Sequence, residues 1–160
     1  MGRSPATTRP ARQTVLQGDR LKAYRPLAAE ARHAALEAGL TAYAQGDFFE
    51  AHELLEPAWM GTADLAERAL YQGLIKLAAG YVHAVRGNPI GMAKNLEGSR
   101  RHLVTSLELD PATAQAAGID LGHLIAEVDA RLAAVRSAGE RTASNPAVMA
   151  GLAEDAPPIR

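Results

Sequence analysis

Residues 46–59 read "GDFFEAHELLEPAW", and the way this stretch folds decides the architecture of the chain. Gly46 can take the left-handed conformation that ends a helix. Asp47, with Glu50 three residues on, forms an Asp-x-x-Glu capping box that starts the next helix. Projected at about 100° per residue, Phe48, Ala51, Leu54, Leu55, Ala58 and Trp59 share one face, which predicts the core side. His52 and Glu56, one turn apart, fall at the edge of that face and are expected to be half-buried, whereas Glu50, Glu53 and Pro57 project toward solvent. Pro57 removes a backbone donor and disfavours helical geometry at the residue before it, which predicts a kink or helix end near Glu56.

The same punctuation extends in both directions. A first helix begins near Pro26 and runs to Gly46, and "GTAD" (61–64) separates the second helix from a third over about 64–86, closed by Gly87. Asn88 caps a fourth helix, with Pro89 in its first turn, that continues to about Glu108. "LDP" (109–111) opens a short turn or helix, and Asp120 caps a last helix ending near Gly139. No strand pattern is present. The expectation is an all-α fold, a compact bundle of about five helices built from two helical hairpins. An offset of 41 residues superposes Gly46-Asp47 on Gly87-Asn88, Leu36 on Leu77, Leu55 on Leu96 and Glu56 on Glu97. The segment "AYAQGDFFEAHELLE" resembles the turn and second helix of a tetratricopeptide repeat, although that repeat has a period of about 34 residues.

Composition agrees with helix: 48% of the 160 residues are hydrophobic, only 4% are aromatic, and alanine is abundant. The expected organisation is a flexible basic N-terminal tail (1–24), a single helical domain (25–139) and a loose C-terminal tail (140–160) that docks Val148, Met149 and Leu152. The first tail carries Arg3, Arg9, Arg12, Arg20 and Lys22 against the acid Asp19. A formal net charge of −1, from 17 basic and 18 acidic side chains, supplies no long-range field for nucleic acid or an anionic membrane. Cysteine is absent, which leaves His, Asp and Glu as the strong metal ligands. No apolar run is long enough to span a bilayer and no signal-peptide segment opens the chain, so the expected location is cytoplasmic.

The third helix divides into faces. Leu70, Leu74, Leu77, Tyr81 and Val85 form its core face, Gln72, Lys76 and His83 a polar stripe, and Ala69, Gly73, Gly80 and Ala84 a strip of small residues suited to close helix approach. Such an approach is expected to bring the stripe against His52 and Glu56. The expected ligand pocket lies between the second and third helices and draws on His52, Glu53, Glu56, Trp59, Gln72, Lys76, His83, Arg86 and Asn88. Within it, His52, Glu56 and His83 form a His/His/carboxylate set for a divalent metal such as zinc or manganese. A metal-free alternative makes His52, poised by Glu56, a general acid or base. Arg100 projects among Met92, Leu96, Leu103 and Leu107, where it either lays its stem on the core with its head in solvent or meets Glu56 or Glu97, and His33, His102 and His123 are expected to be exposed.

Familiar enzyme templates do not fit: "HELLE" has Glu56 where a zincin has its second His, and no Gly-rich phosphate loop is present. Whether the chain is an enzyme stays open. The competing expectation is a tetratricopeptide-like interaction module or homo-oligomer whose His/Glu pairs only pin helix packing. The partners expected are thus a second copy of the chain, another protein or a small molecule, with neither nucleic acid nor membrane.

"GDFFEAHELLEPAW", followed by "YQGLIKLAAGYVHAVRGNPIGMAKNL", resembles the domain-of-unknown-function family 309, small helical proteins with a Phe-x-Glu-Ala-His-Glu-x-x-Glu block and a later His-x-x-Arg-Gly-Asn block. The resemblance covers about residues 36–107. It implies a compact all-helical fold without an established activity. The block residues are Phe49, Glu50, Ala51, His52, Glu53, Glu56 and Trp59, then Gln72, Gly73, His83, Arg86, Gly87, Asn88 and Gly91. Pro57 departs from the pattern.

Overall fold

Three glycine turns set the course of the chain. Gly46, Gly87 and Gly118 adopt φ of 79°, 71° and 71°, a region that a Cβ disfavours. After each glycine the next N–H turns back to a carbonyl five residues earlier. Asp47 donates to Ala42, Asn88 to His83 and Ile119 to Ala114, each at 2.9 Å. These are helix stops of the Schellman type. The two turns aligned by the 41-residue offset therefore share one geometry, and the chain uses it a third time.

The computed structural model describes residues 14–17, 20–142 and 145–160. Its elements are a hairpin of β1 (Thr14–Gln17) and β2 (Arg20–Ala23), then α1 (Ala29–Ala44), α2 (Phe48–Gly61), α3 (Leu65–Val85), α4 (Pro89–Leu109), α5 (Pro111–Ala116), α6 (Leu121–Thr142) and α7 (Pro146–Glu154). The fold is all-α apart from that hairpin, whose antiparallel register runs from Thr14 opposite Ala23 to Gln17 opposite Arg20. Sequence reading found no strand there; the N-terminal tail it expected falls partly on residues 1–13, 18 and 19, which lie outside the described residues. The helix count exceeds the expected five because 111–116 completes a short helix and α7 forms beyond residue 139.

Helix starts follow the side-chain caps. The Asp47, Asp64, Asn88 and Asp120 side chains accept from the backbone N–H of Glu50 (3.2 Å), Glu67 (2.8 Å), Gly91 (2.9 Å) and His123 (3.0 Å). In the expected capping box only the Asp47 side of the exchange is used, since the Asp47 N–H already serves Ala42. Pro57 does not end α2, which continues to Gly61. Pro57 and Glu53 both face solvent, so the carbonyl of Glu53 that loses its helical donor can be hydrated.

α3 is the central element. From Ala66 to Ala84 none of its residues is exposed. It packs on α2 along one side and most extensively on α4 along the other, with α1 against α2, α6 against α4, and α7 against α3 and α6. The small-residue strip receives α4: a Cβ on Gly73 would lie 2.6 Å from Leu103 Cδ2, and one on Gly80 would lie 3.2 Å from Leu96 Cδ2. Ser99 Oγ donates to the Gly73 carbonyl and Ser106 Oγ to that of Ala66, both at 2.8 Å, which ties the two backbones together. The core gathers Trp59, Tyr81, Leu55, Leu74, Leu77, Met92, Leu96 and Leu103. Val85, expected among them, is 66% exposed because α3 ends there.

The C-terminal segment is packed rather than loose. Buried Tyr43 donates to the Pro157 carbonyl at 2.9 Å and Tyr81 to that of Asp155 at 3.0 Å. Met149 and Ile159 are buried, and Val148 and Leu152 are half-buried. Arg160 closes the segment on Glu37 and on the Ala117 carbonyl. Two buried phenols need acceptors, and the chain end supplies them.

Candidate functional site

The flank of α2 presents a histidine and two carboxylates together. One ligand atom each from His52, Glu53 and Glu56 lie within 4.8 Å of one another. His52 Nδ1 stands 3.2 Å from Glu53 Oε1. The side chain of His52 is 27% exposed and that of Glu53 50%, so the cluster sits at the lip of the structure, open to solute. Glu56 is half-buried, as its place beside the core face predicts, and Trp59 below it is wholly buried as a packing anchor. The helical repeat makes this grouping: residues one turn apart share a side, and Glu53 leans in from its neighbouring position.

His83 does not join the cluster. It lies at the α3–α4 turn, where Asn88 Nδ2 is 3.1 Å from His83 Nδ1. A Cβ on Gly91 would fall 2.5 Å from that same nitrogen, so Gly91 is glycine because the imidazole occupies the space. Asn88 also caps α4 through Oδ1 and sends its N–H to the His83 carbonyl. The His-x-x-Arg-Gly-Asn block is thereby explained as one hydrogen-bonded turn. Arg86 is exposed beside it. The expected gathering of His83 with His52 and Glu56 is not seen: among the described residues the group close enough to share an ion is His52, Glu53 and Glu56, while the small strip of α3 faces α4.

Gln72 and Lys76 are half-buried on the side of α3 away from its core face. Burial pushes the Lys76 ammonium below its ordinary value, and Lys94 and Arg101 push it the same way. His102, expected to be exposed, is half-buried; burial, then Arg101 and Lys76, push its pKa down to about 4. Arg100 meets neither Glu56 nor Glu97 but pairs with Asp129 on α6 at 2.5 Å. Glu97 instead pairs with Arg136 at 3.4 Å. His33 and His123 are exposed as expected.

A further polar network escaped sequence reading. Glu67 accepts from Arg32 Nε at 2.7 Å, Tyr71 OH at 2.7 Å and Thr62 Oγ1 at 3.0 Å. Burial pushes its carboxyl up, but the hydrogen bonds from Arg32, Tyr71 and Thr62, with the Arg32 charge, outweigh burial and hold it below the ordinary carboxylate value. Arg32, Glu67 and Tyr71 line a cleft of about 390 Å³ between α1, α3 and α5. With its carboxylate saturated by donors, Glu67 is a brace between α1 and the α2–α3 turn. Only the i,i+4 spacing of Glu67 and Tyr71 hinted at it; the Arg32 contact spans 35 residues.

Fold and site together define an all-α protein with a solvent-accessible His/Glu/Glu cluster on its second helix and no helix, among the described residues, long and apolar enough to cross a membrane. Residues 36–95, which include all of α2 and α3, match the model of Domain of unknown function (DUF309). No curated protein and no solved structure matches the chain.

Proposed function

We propose that the protein binds a divalent cation, zinc or manganese, through His52, Glu53 and Glu56, leaving coordination positions open for water or a small ligand. The observation that carries this reading is the gathering of one nitrogen and two carboxylate ligand atoms within 4.8 Å. Bonds of about 2.0–2.2 Å to one ion require these atoms to close further, a motion within the reach of the exposed Glu53 side chain. Three protein ligands with open positions are the pattern of metal sites that act on a bound solute. Calorimetric titration of chelator-treated protein with zinc and with manganese tests it. Saturable binding of one equivalent by the wild type is expected, with His52→Ala and Glu56→Gln each weakening it by about tenfold or more.

A second reading, the tetratricopeptide-like module, has its own support. Val85 and Ile90 flank the α3–α4 turn and are 66% and 81% exposed, apolar surface next to a turn geometry the chain repeats. Light scattering distinguishes the two: a dimer that Ile90→Lys converts to monomer favours the module, and a monomer with cation binding favours the site on α2.

A further inference from the structure

A second unassigned cluster lies where α3 crosses α4. The aliphatic stem of Lys76 runs over Gly98, whose Cβ position would be 3.5 Å from Lys76 Cδ and 3.8 Å from Cε. On α4 the residues one turn either side of Gly98 are Lys94, then Arg101 and His102, so three nitrogen-bearing side chains share the α4 face that the lysine crosses, four with Lys76 itself. None of the four makes an ion pair among the described residues. Elsewhere several guanidinium groups are matched, Arg32 with Glu67, Arg100 with Asp129, Arg131 with Glu127 and Asp155, Arg136 with Glu97, and Arg160 with Glu37, whereas Arg68 donates to the Thr62 carbonyl and Arg86 is exposed. Glu97 pairs with Arg136, and both line, with Arg101, Glu108 and Asp129, the cleft between α4 and α6, so Arg101 stands at the acid-bearing edge of the cluster.

We propose that this crossing is a binding site for a small oxyanion, inorganic phosphate or a phosphomonoester, held by Lys76, Lys94 and Arg101 with His102 at its edge. Half-burial of Lys76 and His102 removes part of their hydration, and the like charges of Lys94 and Arg101 add to the cost of keeping Lys76 protonated. An anion at the crossing offsets both terms. The Lys76 stem lies against α4 at Gly98, where even a Cβ would meet it only at ordinary contact distance, and Lys94 and Arg101 are close enough to act on its charge. A small oxyanion suits the site better than nucleic acid, because the cluster spans two turns of one helix on a chain of net charge −1. This site is independent of the cation site on α2.

The test is a titration of the full chain with inorganic phosphate, and in a second arm with phenyl phosphate, followed through the His102 ring signals in heteronuclear NMR. Saturable shifts with phosphate, and none with sodium chloride at matched ionic strength, are expected. Tighter binding in the phenyl phosphate arm would identify a phosphomonoester as the ligand, and tighter binding of free phosphate the inorganic ion. Lys76→Met, which keeps the stem over Gly98, should weaken binding by about tenfold, and Arg101→Gln, at an exposed position that the fold does not need, should do the same. Shifts of equal size with chloride, or unchanged affinity in both variants, would overturn the proposal. Binding of a single-stranded oligonucleotide that strengthens with length, in place of saturable phosphate binding, would overturn it too.

Discussion

Glu67 holds α1 to the α2–α3 turn because every donor around it converges on one carboxylate. Replacing it by Ala leaves Arg32, Tyr71 and Thr62 without their acceptor and should cost about 1–3 kcal/mol of unfolding free energy, read by urea denaturation. Its folded-state pKa is lowered, so its stabilisation is full above the ordinary carboxylate pKa and is lost as pH falls through the folded value. Glu67→Gln should therefore flatten the acid limb of the stability profile. His102 acts on a different window. Its folded pKa of about 4 lies below the ordinary 6.5, so the unfolded chain binds the extra proton between those values. Stability should fall as pH drops from 6.5 toward 4, by about 1 kcal/mol once solvent screening is allowed for, and His102→Gln should remove that slope. The glycines separate by surroundings: Gly73→Ala drives a Cβ to 2.6 Å from Leu103 Cδ2 and should cost about 1–3 kcal/mol, whereas Gly98→Ala meets Lys76 at 3.5 Å and should be neutral or stabilising by up to about 1 kcal/mol. Of these residues, His52 and Glu56 were legible because helical spacing alone puts them at the edge of the α2 core face. Glu67 and His102 were not, since their surroundings are set by chain segments 35 residues away and by the α3–α4 crossing.

Elements were legible where the chain writes its own boundaries. Asp47, Asn88 and Asp120 each announce a helix by a cap that the structure uses, and Gly46 and Gly87 close the preceding ones. α7 has a cap of the same kind, Asn145, whose side chain accepts from the Ala147 N–H at 3.0 Å, but its three neighbouring prolines and small residues read as a loose end. What orders that end is tertiary: the phenols of Tyr43 and Tyr81 and the acid Glu37 reach it across 114, 74 and 123 residues. Local sequence carries no trace of such contacts. Removing residues 155–160 should strip both tyrosines of their acceptors and uncover the Ile159 site, costing about 2–4 kcal/mol in the same denaturation assay. An unchanged midpoint would mean that the tail adds nothing to the body.

At the scale of the molecule, α3 is the spine on which two outward-facing polar regions are mounted, one on α2 and one at the α3–α4 crossing. The sequence revealed the all-α class and the polar character of α2 because both follow from periodicity. It placed His83 beside His52 and Glu56, which the fold does not do, because the facing of the Gly73 and Gly80 strip depends on which helix arrives there, and α4 rather than α2 does. The functional reading turns on the proposed cation site of α2. The most direct test is calorimetric titration of chelator-treated wild type with zinc, beside His52→Ala and, as a control, His83→Ala. One saturable equivalent is expected in the wild type and in His83→Ala, with binding lost or weakened by about tenfold or more in His52→Ala. Equal binding by all three proteins, or none by the wild type, would contradict that reading.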